Sequence, residues 1–482
     1  MKKYLLAAAV SCTMLTADAQ WTVQDPGFRN DSLGFYEISL PRQNTAWAVC
    51  YDGWGGLLSG KPILDFTRTT NGGNTWIPGK MGNDKTLRFS NISAINNEEA
   101  WVAMHKIGPT PGNYAIGSGG SFAHGGGIFH TKNGGLTWKQ SNPGELFDHN
   151  SIPRFVHFKN EDRGVAVGDP VDGYFEIYLT ENGGKKWKRV ARRDIPAPMQ
   201  YEVGWISGFA AIGNKIWFGT STGRMYKSVN FGKTWTVHVV DPVPGTHIHE
   251  IAFLDDGLRG VAHGRNPGTN RTFVFSTLDG GLTWTNYFQP ANWKNSRMTA
   301  VPGTNAFIST AVHANPAFQG SAVSYDVGQT WTEIDNAADK AVCRFYDANT
   351  GYAGGFYITG NPVLGTGGIF KSTITFQADR MQTQSRVPAL AESSPGKLSQ
   401  ESEVTVYPVP ASDIINISFN EKTMNNMQVI NIIDMNGKPV ATKTATGRLV
   451  QMDVSKIPAG SYTLRIAGNT GKAVSKVITI VK

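Results

Sequence analysis

The sequence predicts an all-β protein: a seven-bladed β-propeller closed by its own N-terminal strand, followed by a small C-terminal β-sandwich. Three observations point there. One phrase recurs as Thr131-Lys-Asn133-Gly-Gly135-Leu-Thr137-Trp138, Thr277-Leu-Asp279-Gly-Gly281-Leu-Thr283-Trp284 and Ser324-Tyr-Asp326-Val-Gly328-Gln-Thr330-Trp331, with weaker copies ending at Trp76, Trp187 and Trp235. A second marker, a strand pair with a turn between, recurs with it. The composition, 55 Gly and 13 Trp in 482 residues, suits many tight turns joined by short aromatic-rich strands.

Each copy of the phrase has the chemistry of a tight hairpin. The Asp or Asn (Asn71, Asn133, Asn182, Asn230, Asp279, Asp326) is expected to bond to backbone N–H groups two residues on, and the Gly accepts positive φ. The Trp then covers the turn from the next strand. The leading hydroxyl falls at Thr69, Thr131, Thr180, Ser228, Thr277 and Ser324. After the first interval the step is about 48 residues, the period of a propeller blade. One more step lands on Ser372, where the Asp, Gly and Trp are missing.

The second marker is seen in Phe158 to Gly168, Phe253 to Gly264 and Phe345 to Gly355, with looser copies centred on Trp47, Trp101, Trp217 and Phe307, seven in all. Seven strand pairs face six full hairpins, and the N-terminus resolves the mismatch. Trp21-Thr-Val-Gln-Asp-Pro26 resembles the outer strand that follows a hairpin, Trp235 to Pro242, while the array ends at Phe376 just before such a strand is due. Residues near Trp21 are therefore expected to pair with 369–373, leaving no lone blade edge. Six blades plus an odd N-terminal strand is the alternative. The insert between Trp76 and Thr131, with Gly108 to Gly112 and Gly117 to Gly120, reads as a loop over one face.

Around this array the chain shows three further segments. Residues 1–19 read as a signal peptide: Lys2-Lys3, an apolar stretch Leu5 to Val10, and Ala17-Asp-Ala19 before Gln20. Ser11-Cys12 is a poorer match to a lipoprotein site. Residues 20–377 form the propeller, 378–403 a Gln-, Ser-, Pro- and Ala-rich tether, and 404–482 a sandwich of about seven alternating strands, with Asn436-Gly437 as one hairpin turn. No other stretch is apolar for long enough to span a bilayer. The formal net charge of +8 is scattered, and no nucleic-acid-binding motif is present, so nucleic acid is not an expected partner. Cys50 and Cys343 remain after the signal is removed. The compartment permits a disulfide, and two buried thiols is the leading reading.

The hairpin phrase resembles the Asp-box, or BNR repeat, of sialidases, some other glycoside hydrolases, sortilin-type receptors and photosystem II assembly propellers. The resemblance covers about Trp21 to Phe376 and departs at Lys186, which replaces Thr before Trp187. It implies the fold; in these families the box braces a turn away from the working face. The C-terminal domain resembles the type A sorting domain of the type IX secretion system of Bacteroidetes. The matching pieces are Val406-Tyr-Pro408-Val-Pro-Ala411, Asp434-Met-Asn-Gly437-Lys, Ile457-Pro-Ala-Gly460-Ser-Tyr462-Thr-Leu464 and Lys476 to Lys482. That resemblance implies Sec export, passage through the type IX machinery, removal of the domain, and a product that is secreted or attached to the outer-membrane surface.

For chemistry, the entry ends of the innermost strands are where a propeller lines its central pocket. Register places Arg88, Arg154, His247, His249, Glu250, Arg297 and Arg344 near that rim, with Tyr201-Glu202 beside them. Three arginines from separate blades can hold a carboxylate through bidentate bonds. The resemblance to sialidases adds a Tyr–Glu couple as nucleophile and base, with Tyr201, Glu202 and Glu250 as candidates. The Phe/Tyr-Arg-Ile-Pro segment of sialidases is absent; Ile152-Pro-Arg154-Phe155 only scrambles it. His247-Ile-His249 puts two imidazoles on one strand face without a legible third ligand, and Gly168 to Gly173 offers too few oxygens for Ca²⁺, so no metal site is assigned. No nucleophile elbow, Walker loop or dinucleotide fingerprint occurs, and no cofactor is expected. A secreted or surface-attached binding protein for a glycan or protein is the preferred reading, with a glycoside hydrolase as the alternative.

Overall fold

The computed structural model describes residues 20–28, 33–52, 62–106, 125–147, 151–313, 315–355 and 368–377, and in the C-terminal part 404–407, 414–419, 428–434, 439–445, 449–468 and 473–480. The signal peptide, the insert between Trp76 and Thr131 at 107–124, the tether 378–403 and the Asn436-Gly437 turn lie outside them. The chain divides into two units, residues 1–387 and 388–482.

The first unit contains seven four-stranded antiparallel sheets. Six are consecutive in sequence: residues 33–80 (blade 1), 87–140 (blade 2), 153–189 (blade 3), 204–239 (blade 4), 247–288 (blade 5) and 297–335 (blade 6). The seventh joins both ends of the array. Val342–Asp347, Thr350–Gly354 and Ile369–Ser372 are completed by Trp21–Gln24, with Trp21 opposite Ser372 and Gln24 opposite Ile369. The innermost strands are Leu33–Arg42, Leu87–Ala94, Pro153–Phe158, Gly204–Ile212, His247–Phe253, Arg297–Ala300 and Val342–Asp347. Each packs beside the next, and the last returns to the first, so the sheets close a ring.

The two sequence markers hold this ring in different ways. In all six hairpins the Asn or Asp Oδ1 accepts the N–H four residues on at 2.9–3.0 Å. The leading hydroxyl accepts the second turn residue's N–H at 2.8–3.0 Å. The reach is four residues rather than the expected two, because consecutive positive-φ residues curl the chain back onto the side chain. Phe231 and Val327 take the first of these positions in two hairpins, at φ 58° and 59°. Lys186 keeps the backbone bond at 2.9 Å and loses only the hydroxyl partner that Thr provides elsewhere.

The second marker joins blade to blade. Trp47, Trp101, Trp217 and Phe307, all on second strands, are fully buried. Trp101 of blade 2 stacks on Phe158 of blade 3 at 3.7 Å, and Trp217 of blade 4 on Phe253 of blade 5 at 4.0 Å. Trp217 Nε1 also donates to the Gly280 carbonyl at 2.9 Å. Innermost strands are stitched by polar side chains: Asn91 both donates to and accepts from the Val156 backbone, each at 2.9 Å. Burial of these flat rings against a neighbour is why a single blade has no stable core of its own. Cys50 and Cys343 are buried free thiols in separate core clusters; burial pushes the Cys343 thiol up to about 12.

The second unit has seven described strands in two sheets. Val404–Tyr407, Ile414–Phe419 and Leu449–Asp453 form one; Gln428–Ile433, Pro439–Ala445, Gly460–Gly468 and Ala473–Ile480 form the other. Alternation puts Ile415, Ile417, Ile430, Ile432, Leu464 and Ile466 into a single core between them.

Candidate functional site

The innermost strands are not regular. In blades 1, 2, 3 and 5 the ladder slips by one residue near the start of the strand, at Tyr36, Ser90, Arg154 and His249. In blade 4 the irregularity runs from Gly204 to Phe209 and includes Trp205. A bulge leaves its extra residue out of the ladder and re-aims that side chain. The candidate site is therefore a tier of bulge residues and their immediate neighbours.

The structure gives Arg154, Arg297 and Arg344 each a carboxylate. Arg154 is buried and holds Asp169 through two bonds, at 2.7 and 2.5 Å. Asp169 also accepts the Gly204 N–H at 3.1 Å, tying blade 3 to blade 4. Arg297 of blade 6 binds Glu250 of blade 5, and its guanidinium lies 5.3 Å over the Tyr36 ring. Arg344 of blade 7 binds Glu37 of blade 1 at 2.8 Å. Glu37, Glu250, Arg297 and Arg344 thus form a self-neutralised quartet. Burial raises the pKa of Glu250, Arg297 and Arg344 oppose the rise, the like charge of Glu37 reinforces it, and the net direction is upward. Arg88 lies on the same tier of blade 2. Burial, then Arg154 and Arg88, hold His105 down at about 3, and its Nδ1 is 2.9 Å from Ser90 Oγ.

Tyr201 and Glu202 part company. Tyr201 sits at φ 60° and is 87 % exposed, whereas Glu202 is 2 % exposed. Glu202 accepts Thr220 at 2.6 Å, Thr222 at 2.7 Å, the Met199 N–H at 2.8 Å and Arg224 Nε at 3.0 Å. Burial pushes its pKa up, but these bonds outweigh burial and hold it below the usual carboxylate range. In the Gly168 to Gly173 turn, Asp169 turns inward to Arg154 while Asp172 is largely exposed beside Arg189 at 4.0 Å, so the two carboxylates do not converge.

His247 and His249 belong to a run of five rings. Trp205 of blade 4 lies 5.4 Å from His247 and 4.3 Å from His249; His249 lies 5.4 Å from His263; and His263 lies 5.0 Å from Trp293, which precedes blade 6. Trp205, His247, His249 and Trp293 are half-buried; His263 is 4 % exposed and forms the floor. Burial, with Arg265 and Arg297 behind it, lowers His263 to about 3. Burial and the neighbouring imidazoles lower His249 well below its ordinary value. Burial and Arg265 lower His247. All three imidazoles are neutral at physiological pH. Both ring nitrogens of His263, Nε2 of His249 and Nε1 of Trp293 are buried without a hydrogen-bond partner. Among the described residues, no three His, Cys, Asp or Glu side chains are placed to hold a metal ion.

Sequence reasoning missed Trp205, His263, Trp293 and the partners Glu37 and Asp169. His263 did leave a signal: in Val-Ala-His263-Gly it occupies the slot that Val167 fills in Val-Ala-Val-Gly. An imidazole in an otherwise apolar repeat position marks a departure with a purpose other than packing.

No curated protein matches the chain in sequence. Among solved structures, YCF48 bound to D1 peptide is 17 % identical, with coverage of 73 % of this chain and 97 % of that one, and a TM-score of 0.49. A GH74 enzyme from Niastella koreensis is 13 % identical, covering 93 % and 66 %, with a TM-score of 0.43. The NanB sialidase from Streptococcus pneumoniae is 12 % identical, covering 66 % and 71 %, with a TM-score of 0.41. All three are β-propellers. Residues 405–481 match the family described as the secretion system C-terminal sorting domain, and this C-terminal part of the chain indicates export by the type IX route.

Proposed function

We propose that the chain is an exported, non-catalytic β-propeller that binds an extracellular glycan or protein at the start of its innermost strands in blades 4 to 6. Residues 1–19 direct Sec export, 404–482 engage the type IX machinery and are removed, and 378–403 tether the two. The mature 20–377 propeller is released or held at the cell surface. One observation carries the non-catalytic part: both candidate catalytic carboxylates, Glu202 and Glu250, are buried and bonded to an arginine. Arg154, Arg297 and Arg344 likewise have no free charge for an anionic substrate. What supports a binding role is the half-buried aromatic and imidazole run, which offers ring surface and unspent hydrogen-bonding groups together.

The raised pKa of Glu250, with Glu37 electrostatically coupled to it, favours a second reading: a glycoside hydrolase with these as acid and base. Incubation of the exported protein with a panel of oligosaccharides separates the two. Binding without release of reducing sugar is expected. Sugar release that Glu250→Gln or Glu202→Gln abolishes would refute the binding role.

A further inference from the structure

We infer that the ring run Trp205–His247–His249–His263–Trp293 is a subsite for a neutral, hydroxyl-bearing sugar rather than for an anionic one. This rests on the ligand-binding reading above and names its ligand class.

The argument starts from the unpartnered atoms. Leaving a buried polar group without a hydrogen bond is costly, because its desolvation is not repaid. Here four such atoms lie on three neighbouring rings: His263 Nδ1 and Nε2, His249 Nε2 and Trp293 Nε1. Elsewhere on the tier, Arg154, Arg297 and Arg344 are each matched by a carboxylate. Single unpartnered atoms occur elsewhere, as at Glu37 Oε2 and Trp284 Nε1; this cluster is set apart by holding four on three adjacent rings, and chemistry restricts what can complete it. The Trp293 indole only donates. Neutral His263 presents one donor and one acceptor. A carboxylate, sulfate or phosphate only accepts and leaves the imidazole lone pair unmet; an ammonium only donates and leaves the N–H groups unmet. A hydroxyl does both.

Charge points the same way. All three imidazoles are lowered, so the run carries no cation of its own at neutral pH. Arg297, whose charge reaches His249 and His263, is bound to Glu250. Arg265, which also faces the imidazoles, is exposed and donates to Asn270 at 3.0 Å. The half-buried Trp205 and Trp293 flank the imidazoles, and an indole ring supplies the flat apolar surface that packs against the C–H face of a pyranose. The His249 bulge makes the arrangement possible: the extra residue lets His249 reach both Trp205 across the blade 4 boundary and His263 in its own blade.

The test uses the full chain and intrinsic Trp fluorescence. It is titrated with neutral oligomers (cellohexaose, xylohexaose, laminarihexaose, mannohexaose) and with anionic ones (sialyllactose, oligogalacturonate). At least one neutral oligomer is expected to bind, at least tenfold more tightly than either anionic probe. Trp293→Ala, which also loses packing against a core cluster, and the half-buried Trp205→Ala should each weaken it at least tenfold while the protein stays folded by circular dichroism. His263→Phe, which keeps the ring and removes both nitrogens, should do the same; if it fails to fold, the two Trp variants decide. Preference for the anionic probes, neutral-sugar binding that survives all three substitutions, or no sugar binding with only water in the site overturns the inference. Those outcomes leave a protein ligand, and hence the binding reading, standing. Sugar release abolished by Glu250→Gln would instead remove that reading.

Discussion

At the residue scale, the hairpin carboxylates separate a structural from a chemical role. Asp279 accepts N–H bonds from Leu282 and Thr283 and O–H bonds from Thr277 and Thr283, at 2.6–3.0 Å. Four of the six hairpins carry Asn at this place, so Asp279→Asn should cost less than Asp279→Ala, for which about 1–3 kcal/mol is expected in denaturant titration. Burial pushes the Asp279 and Asp326 pKa values up, but their hydrogen bonds outweigh it and both end below the ordinary value. A depressed carboxylate stabilises the fold above the unfolded pKa, near 4, and loses that contribution as pH falls through the folded value. The Asp279→Asn, Asp326→Asn double variant should therefore show a shallower loss of melting temperature below about pH 4. Inside the ring, Asp169→Ala leaves Arg154 buried and uncompensated, and a loss of about 3–5 kcal/mol is expected. A change under about 1 kcal/mol would mean that solvent already reaches the pair.

Elements explain both what the sequence disclosed and what it withheld. The hairpins were legible because all of their chemistry lies within eight residues, Thr131 to Trp138 for example. Trp47, Trp101 and Trp217 were legible as markers because a flat ring repeating at blade spacing has one use, filling the wedge to the next blade. The site was not legible to the same degree. A one-residue bulge at Tyr36, Ser90, Arg154 and His249 reverses the facing of every residue before it, and periodic patterning carries no mark of where such a slip falls. Partners were hidden for another reason: Glu37 and Arg344 meet only because the ring brings opposite ends of the array together. The N-terminal strand is the element on which this depends. Trp21 is buried edge-on to Phe345 at 6.0 Å and donates to Ser321 at 3.0 Å. Trp21→Ala should cost about 3–5 kcal/mol, against less than about 0.5 for the exposed Thr22→Ala, as read by thermal melts.

For the whole molecule, closure decides whether the charged quartet can form. The quartet Glu37, Glu250, Arg297 and Arg344 spans blades 5, 6, 7 and 1, and so crosses the point where the two ends of the array meet. An open arc would leave Arg344 without Glu37 and expose a buried charge at the seam. The ring run from Trp205 to Trp293 on blades 4 to 6 lies away from that seam, so under the proposed binding role a graded response is expected: weakening the N-terminal strand should lower stability before it lowers ligand affinity. The most direct measurement of closure is a cross-link between Thr22 and Lys371, which stand directly opposite in the last sheet. Paired strand residues have Cα atoms about 4.5–5.5 Å apart, within reach of a disulfide. In the Thr22→Cys, Lys371→Cys variant, mild oxidation of the folded protein should join the two peptides quantitatively by mass spectrometry, leave Cys50 and Cys343 reduced, and raise the melting temperature. Free thiols at 22 and 371 in the folded protein would contradict the closed ring.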